Sequence, residues 1–329
     1  MLAVARSREI SPLPTPLPIG ISRKVLLSFY LLVPGLFAVF LADKFLLEGR
    51  IKPYLEFSGL IRSVYLLVPF PHILASFFSF GDTDYLKFYR KKLALGIPLI
   101  LGGSFFLLQF ISIATFEPIF RSLTFFHVIT QQVGITGLLL GNRSRYFTLW
   151  KWSIIAVGII AGHCLFPSAI VTNLIPYPLL LSFVVAGNLV CLVLTFLVAR
   201  EGSNSLGKMY TWANWAMLVA VGTCAWQNYF LIGYLIPRSI HDLTAFCFYV
   251  SHDQNRSFNE PRNYFYNLFS FLRLPVAILC PLISIGIVLA LSTNFTIYAV
   301  VVAFSLCHYY IESFIWKPGT VHRSFIRMT

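Results

Sequence analysis

From Val25 to Trp316 the chain alternates long apolar runs with short polar connectors. The runs lie at about 25–42, 63–80, 93–115, 119–141, 147–166, 178–199, 209–229, 232–252, 274–292 and 296–316. Most reach about 18 residues or more, which as a helix crosses roughly 30 Å of hydrocarbon. The pattern predicts an all-α protein, a polytopic transmembrane helix bundle of about ten spans. Merging across 209–252, where Pro237 and only a few residues must turn the chain, would leave nine. A polar cytoplasmic tail (1–24), one transmembrane domain (25–316) and a basic cytoplasmic tail (317–329) are the expected divisions. No A-x-A-like cleavage site follows the first run, so it is read as retained. Neither a solenoid period nor an inverted repeat is evident.

Composition agrees with the membrane as solvent: 57% of residues are hydrophobic and 11% charged, against roughly 25% charged in soluble proteins. A net charge of +13 raises the question of nucleic acid. The Lys and Arg residues, however, sit in connectors and form no basic stripe interleaved with aromatics, which argues against a nucleic-acid partner. Their placement is a topology signal instead. Arg6, Arg8, Arg23 and Lys24, then Lys87, Arg90, Lys91 and Lys92, then Arg256, Arg262 and Arg273 fall on one side. The connector with Lys44, Arg50, Lys52 and Arg62 runs against the bias, offset in part by Asp43, Glu48 and Glu56. The expectation is an integral, multi-pass protein of a bacterial inner membrane, with both termini cytoplasmic and lipids as neighbours. Protein partners are left unassigned.

Polar groups at membrane depth cost several kcal/mol unless paired, so each needs an explanation. Asp242 and Glu312 are the only acids within the runs, and of seven histidines only His322 reads as clearly outside. His72, His127, His241 and His308 all lie in even-numbered spans, which run in one direction. Counting about 1.5 Å per residue places the first three roughly 12–14 Å deep and His308 about 18 Å. Gln131 falls one turn after His127, and Glu312 one turn after His308. Imidazoles and a carboxylate in one layer suit iron, zinc or copper. His72, His127, His241, His308 and Glu312 are the expected ligands, with Glu312 also a candidate proton acceptor. Gln131 is a candidate substrate contact. Asp242 projects about 100° from His241, which favours support of a ligand, or an ion pair with Arg238, over direct ligation. The competing explanation for any one histidine is a hydrogen bond to a neighbouring helix. His252, beside Asp253 and Arg256, and His163, beside Cys164, are weaker candidates.

Other signals carry less. The cysteines (Cys164, Cys191, Cys224, Cys247, Cys280, Cys307) stand singly in apolar stretches and read as small core residues. GSNSLGKM at 202–209 approaches a P-loop, but Met209 replaces the Mg²⁺-holding hydroxyl and a span precedes it where a strand is required. Gly137, Gly141, Gly158 and Gly162 suggest close helix packing, and Trp150, Trp152 and Trp316 an interfacial belt.

The blocks PHILASFFSF, HDLTAFCFYVSHDQNR and HYYIESFIWK resemble those of an uncharacterised bacterial family of multispanning membrane proteins, over about a tenth of the chain. More remotely, the early PH and the later histidine blocks are similar to the Brp/Blh-type carotene-cleaving oxygenases. That resemblance implies a histidine-ligated iron centre and an oxygenase reaction class. It carries over at His72 alone in the first block, where PHILAS stands for PHGxxD. His241 and His252 match the later paired-histidine block only at a different spacing.

The leading expectation is therefore a membrane oxidoreductase that depends on a metal, non-haem iron first and zinc or copper next, and acts on a lipophilic small-molecule substrate. Two other classes fit the same residues: a proton-coupled transporter using intramembrane His and Glu, and a non-catalytic membrane assembly subunit.

Overall fold

A computed structural model describes residues 19–56, 68–141, 145–258, 263–291, 297–317 and 319–329. The start of the N-terminal tail, the first residues of the second predicted run, and Arg62 and Arg262 of the charge pattern lie outside the described residues. The protein is an all-α bundle whose described strands are a single pair of two-residue segments, β1 (Gly20–Ile21) and β2 (Arg327–Met328), joined in parallel.

Helices occupy each of the predicted runs. They are α1 (Arg23–Phe45), α3 (Pro69–Phe78), α4 (Thr83–Phe110), α5 (Ile113–Leu139), α6 (Arg145–Leu165), α8 (Tyr177–Glu201), α9 (Ser205–Trp226), α10 (Phe230–Arg256), α12 (Val276–Leu291) and α13 (Ile297–Ile315). Short helices α2 (Lys52–Leu55), α7 (Ala169–Leu174), α11 (Tyr264–Leu268) and α14 (Val321–Ser324) sit in the connectors or after the last run. Four helices, α1, α4, α6 and α8, are long and apolar enough to cross a membrane. α10 is as long but studded with Arg238, His241, Asp242, His252 and Asp253, the residues that give it a chemistry.

Local signals explain several boundaries. Asp82 caps α4 by accepting the Asp84 N–H, which starts the helix ten residues before the apolar run does. Ser112 caps α5, accepting from Thr115, so the turn falls before Glu117–Pro118 and that pair is helical. Pro237 does not turn the chain, contrary to expectation; it lies inside α10. The reversal is made by Gln227–Tyr229, with Asn228 in the left-handed region at φ 58°, a conformation Asn tolerates. Pro69 and Pro71 occupy the first turn of α3, where the missing N–H groups have no helical partner to lose.

Two apolar clusters form the interior. One gathers α1, α5, α6, α8 and α9; the other gathers α3, α4, α12 and α13. α10 belongs to both, giving Ile232, Ile236 and Ile240 to the first and Ala245 and Tyr249 to the second. The expected small-residue contacts are present: the Cα faces of Gly158 and Gly162 are filled by Ile129 and Phe125. All six cysteines are free, five of them buried. Trp152 is half exposed, as a belt residue would be, but Trp150 is not: it is fully buried and donates to Thr195 at 2.9 Å.

The final segment folds back over the bundle. Asn255, near the end of α10, bonds the backbone of Ile19 in both directions and donates to the Phe325 carbonyl, tying both flanks of the bundle to one side chain. His322 is consequently not in a solvated tail but fully buried.

Candidate metal centre

The seam between the two clusters is where four of the histidines meet. α3 supplies His72, α5 His127, α10 His241 and α13 His308, each from a different helix, so their meeting depends on tertiary packing alone. The four rings touch in a closed cycle. Centroid separations are 5.0 Å for His72–His241, 4.9 Å for His241–His127, 5.1 Å for His127–His308 and 4.9 Å for His308–His72.

Two overlapping donor sets come out of this cycle, each with its ligand atoms within 4.8 Å of one another. One is His72, His241 and His308; the other is His127, His308 and Glu312. His308 belongs to both. In the second, the His127 Nε2 lies 3.3 Å and the His308 Nε2 3.9 Å from the Glu312 carboxylate.

The rings fit a metal in size. Four equal contacts of about 5 Å put their common centre about 3.1–3.5 Å from each centroid, depending on whether the cycle is folded or flat. A metal–nitrogen bond of about 2.1 Å reaches that centre from the ring edge. The nitrogens also need a partner. His72, His241 and His308 are fully buried, and none of their six ring nitrogens has a hydrogen bond of good geometry among the described residues, His72 Nδ1 having only the nearby Asp242 carboxylate; Nε2 of His127, 3.3 Å from Glu312, likewise lacks one. Buried polar atoms are ordinarily satisfied, so a concentration of bare imidazole nitrogens marks a site for a ligand that accepts lone pairs.

Support from behind is built in. Asp242 Oδ1 is 3.0 Å from His72 Nδ1 and 3.0 Å from the Nε of Arg238, one turn earlier on α10. Asp242 thus joins two roles: it pairs with Arg238 and stands behind His72, the carboxylate–histidine arrangement common at metal sites. Glu312 accepts the Tyr249 hydroxyl at 2.6 Å and the Trp316 indole N–H at 3.4 Å. His127 stacks on Tyr309 at 4.2 Å. Tyr249, Trp316 and Tyr309 were invisible to sequence reasoning, since tyrosines and tryptophans near span ends look like a lipid belt. Gln131 is half buried and accepts from Gln132 at 3.4 Å. Gln132, fully buried, in turn accepts from Tyr30.

The remaining histidines lie elsewhere. His163 meets the hydroxyl of Ser122 at 2.9 Å. His252 sits in a second buried group with its Nδ1 2.7 Å from Asp253 and its Nε2 2.9 Å from the Tyr85 hydroxyl. His322 stacks on His252 at 4.6 Å and 7°, and on Tyr85 at 4.0 Å. Tyr266 donates to the other oxygen of Asp253 at 2.6 Å.

No protein-family model, no curated protein and no solved structure matches the chain.

Proposed function

We propose that this is an integral membrane oxidoreductase that uses a metal, non-haem iron first among candidates, on a lipophilic substrate. The observation that carries the reading is the convergence of His72, His127, His241 and His308 with bare, buried ring nitrogens beside Glu312. Iron is favoured over zinc or copper because His127, His308 and Glu312 form a two-histidine, one-carboxylate set, a donor arrangement typical of oxygen-using iron sites. Bound there, such a metal would supply oxygen activation or polarisation of the substrate. The remote likeness to the carotene-cleaving oxygenases points to the same class.

The protein's own residues supply the rest. Asp242 holds His72 oriented through Nδ1 and leaves Nε2 to ligate. Glu312, held by Tyr249 and Trp316, keeps its second oxygen toward His127 and can ligate or take a proton. Apolar walls from both clusters keep water out, and a lipophilic substrate enters sideways from the bilayer. In this reading the ten predicted runs each make a span, with the helices α3 and α10 shielded from lipid by their neighbours. Both termini face the cytoplasm of a bacterial cell.

Metal analysis of the protein extracted in mild detergent tests the reading. Near-stoichiometric iron is expected; absence of iron, zinc and copper alike overturns it. A proton-coupled transporter would instead show pH-driven uptake in proteoliposomes that fails on Glu312→Gln, and an assembly subunit would co-purify with a fixed partner.

A further inference from the structure

Side chains that hold the candidate centre continue without a break into the second buried group. Tyr249 and Trp316, the two donors to Glu312, have ring centroids 5.3 Å apart. Trp316 lies 6.0 Å from both His252 and His322. His322 stacks on Tyr85, whose ring is 5.1 Å from the guanidinium of Arg256. Arg256 pairs with Asp84, a residue with 40% of its side chain exposed, so the series ends at the surface of the protein.

Its tyrosines share a second property. Tyr249 is bonded to Glu312, Tyr85 to His252 and Tyr266 to Asp253, so each phenol has a proton acceptor within 2.9 Å. A buried phenol can lose an electron readily only if its proton has somewhere to go. The gaps between successive rings are 4.0–6.0 Å between centroids. They are short for electron tunnelling. Electron hopping from ring to ring therefore meets no wide gap between Tyr249 and Tyr85.

We propose that Tyr249, Trp316 and Tyr85 form a one-electron relay between the histidine centre and the aqueous face that carries Asp84 and Arg256. This rests on the reading of the centre as a redox metal site. In one step, Tyr249 or Trp316 gives one electron to the oxidised centre; a phenolic proton from Tyr249 passes to Glu312 and returns on reduction. Tyr85 then gives one electron to refill the hole, its proton moving to the Nε2 of His252. A water-soluble one-electron reductant at the Asp84 face restores Tyr85. Dioxygen or a peroxide would supply the oxidising equivalents at the centre, and each electron given by the water-soluble reductant would lower it by one oxidation level.

The test uses the full-length protein loaded with ferrous iron, with metal content measured first. It is mixed with hydrogen peroxide, frozen within milliseconds and examined by electron paramagnetic resonance. A protein radical is expected whose hyperfine pattern changes when tyrosine is ring-deuterated. In Tyr85→Phe, which keeps the ring packing and lies away from the centre, the radical should persist at least tenfold longer against ascorbate. Trp316→Phe should do the same when it is compared with the unaltered protein at equal bound iron. Iron-loaded protein that forms no radical, or variants re-reduced at the wild-type rate, overturns the relay and leaves the metal centre standing. Failure to bind any redox metal removes both, and metal analysis alone reveals that outcome.

Discussion

The carboxylate of Asp242 stands 3.0 Å from the imidazole of His72 and 3.0 Å from the guanidinium of Arg238, making one buried acid the hinge between an ion pair and a candidate ligand. Its replacement therefore has two separable effects. Asp242→Asn leaves Arg238 buried without its counter-charge, for which a loss of about 3–5 kcal/mol is expected. It also slackens His72, which should weaken metal binding about 10–100-fold. The double variant Arg238→Met, Asp242→Leu removes both charges and should recover most of the stability but none of the affinity. Thermal melting in detergent with parallel metal titration distinguishes the two terms.

His308 is the ligand shared by both donor sets. His308→Ala should abolish retained metal, while His163→Ala, whose imidazole meets only Ser122 among its described hydrogen bonds, should leave metal content unchanged. Metal analysis of the two variants purified side by side decides the matter; equal retention would contradict the assignment of His308.

These histidines were legible in the sequence because an imidazole or carboxylate inside an apolar run has no cheap explanation. Their shared depth followed from helix rise alone. What periodicity could not show was which rings would touch, since His72, His127, His241 and His308 come from four helices whose neighbours are set by packing. Asp43 was passed over for a related reason. It reads as a connector acid, yet it is fully buried, accepting the N–H groups of Ile51 and Lys52 and the Tyr229 hydroxyl. His322 was misplaced because a short basic segment after the last run carries no signal that it folds back.

That burial gives His322 a pH signature. Desolvation first, then the nearby His252 and Arg256, hold its pKa well below the ordinary 6.5. The imidazole therefore stays neutral in the folded protein, while the released segment takes up a proton below about pH 6.5. Stability of the fold-back is complete above that pH and declines as pH falls. Tyr85, Tyr89 and His252 contact the ring, with Asp253, Asp82 and Asp84 paired nearby, so among the described residues no free acid compensates the charge. Hydrogen exchange of residues 319–329 should rise from pH 7.5 to pH 5.5, and His322→Phe should flatten the response.

Gly207, part of the discounted phosphate-loop likeness, proves to be a packing residue. A methyl group there would lie 2.6 Å from the Leu140 Cα and 2.7 Å from the Leu139 carbonyl oxygen, backbone atoms that cannot swing aside. Gly207→Ala should destabilise the protein by about 1–3 kcal/mol or more, and Lys208→Ala by about 0.5 kcal/mol or less. Melting temperatures of the two variants check this; an equal, small effect would restore interest in the motif.

The pairing of Arg238 with Asp242 within one turn of α10 also bears on the order in which a ribosome delivers these groups. α10 leaves the ribosome before α13, yet it need not wait for a later helix to neutralise its charges, because it carries the counter-ion itself. Glu312 is made after its partners Tyr249 and His127. Both acids buried at the seam, Asp242 and Glu312, are thus met by groups made with them or before them, and neither carboxylate has to wait, unpartnered, for a later helix.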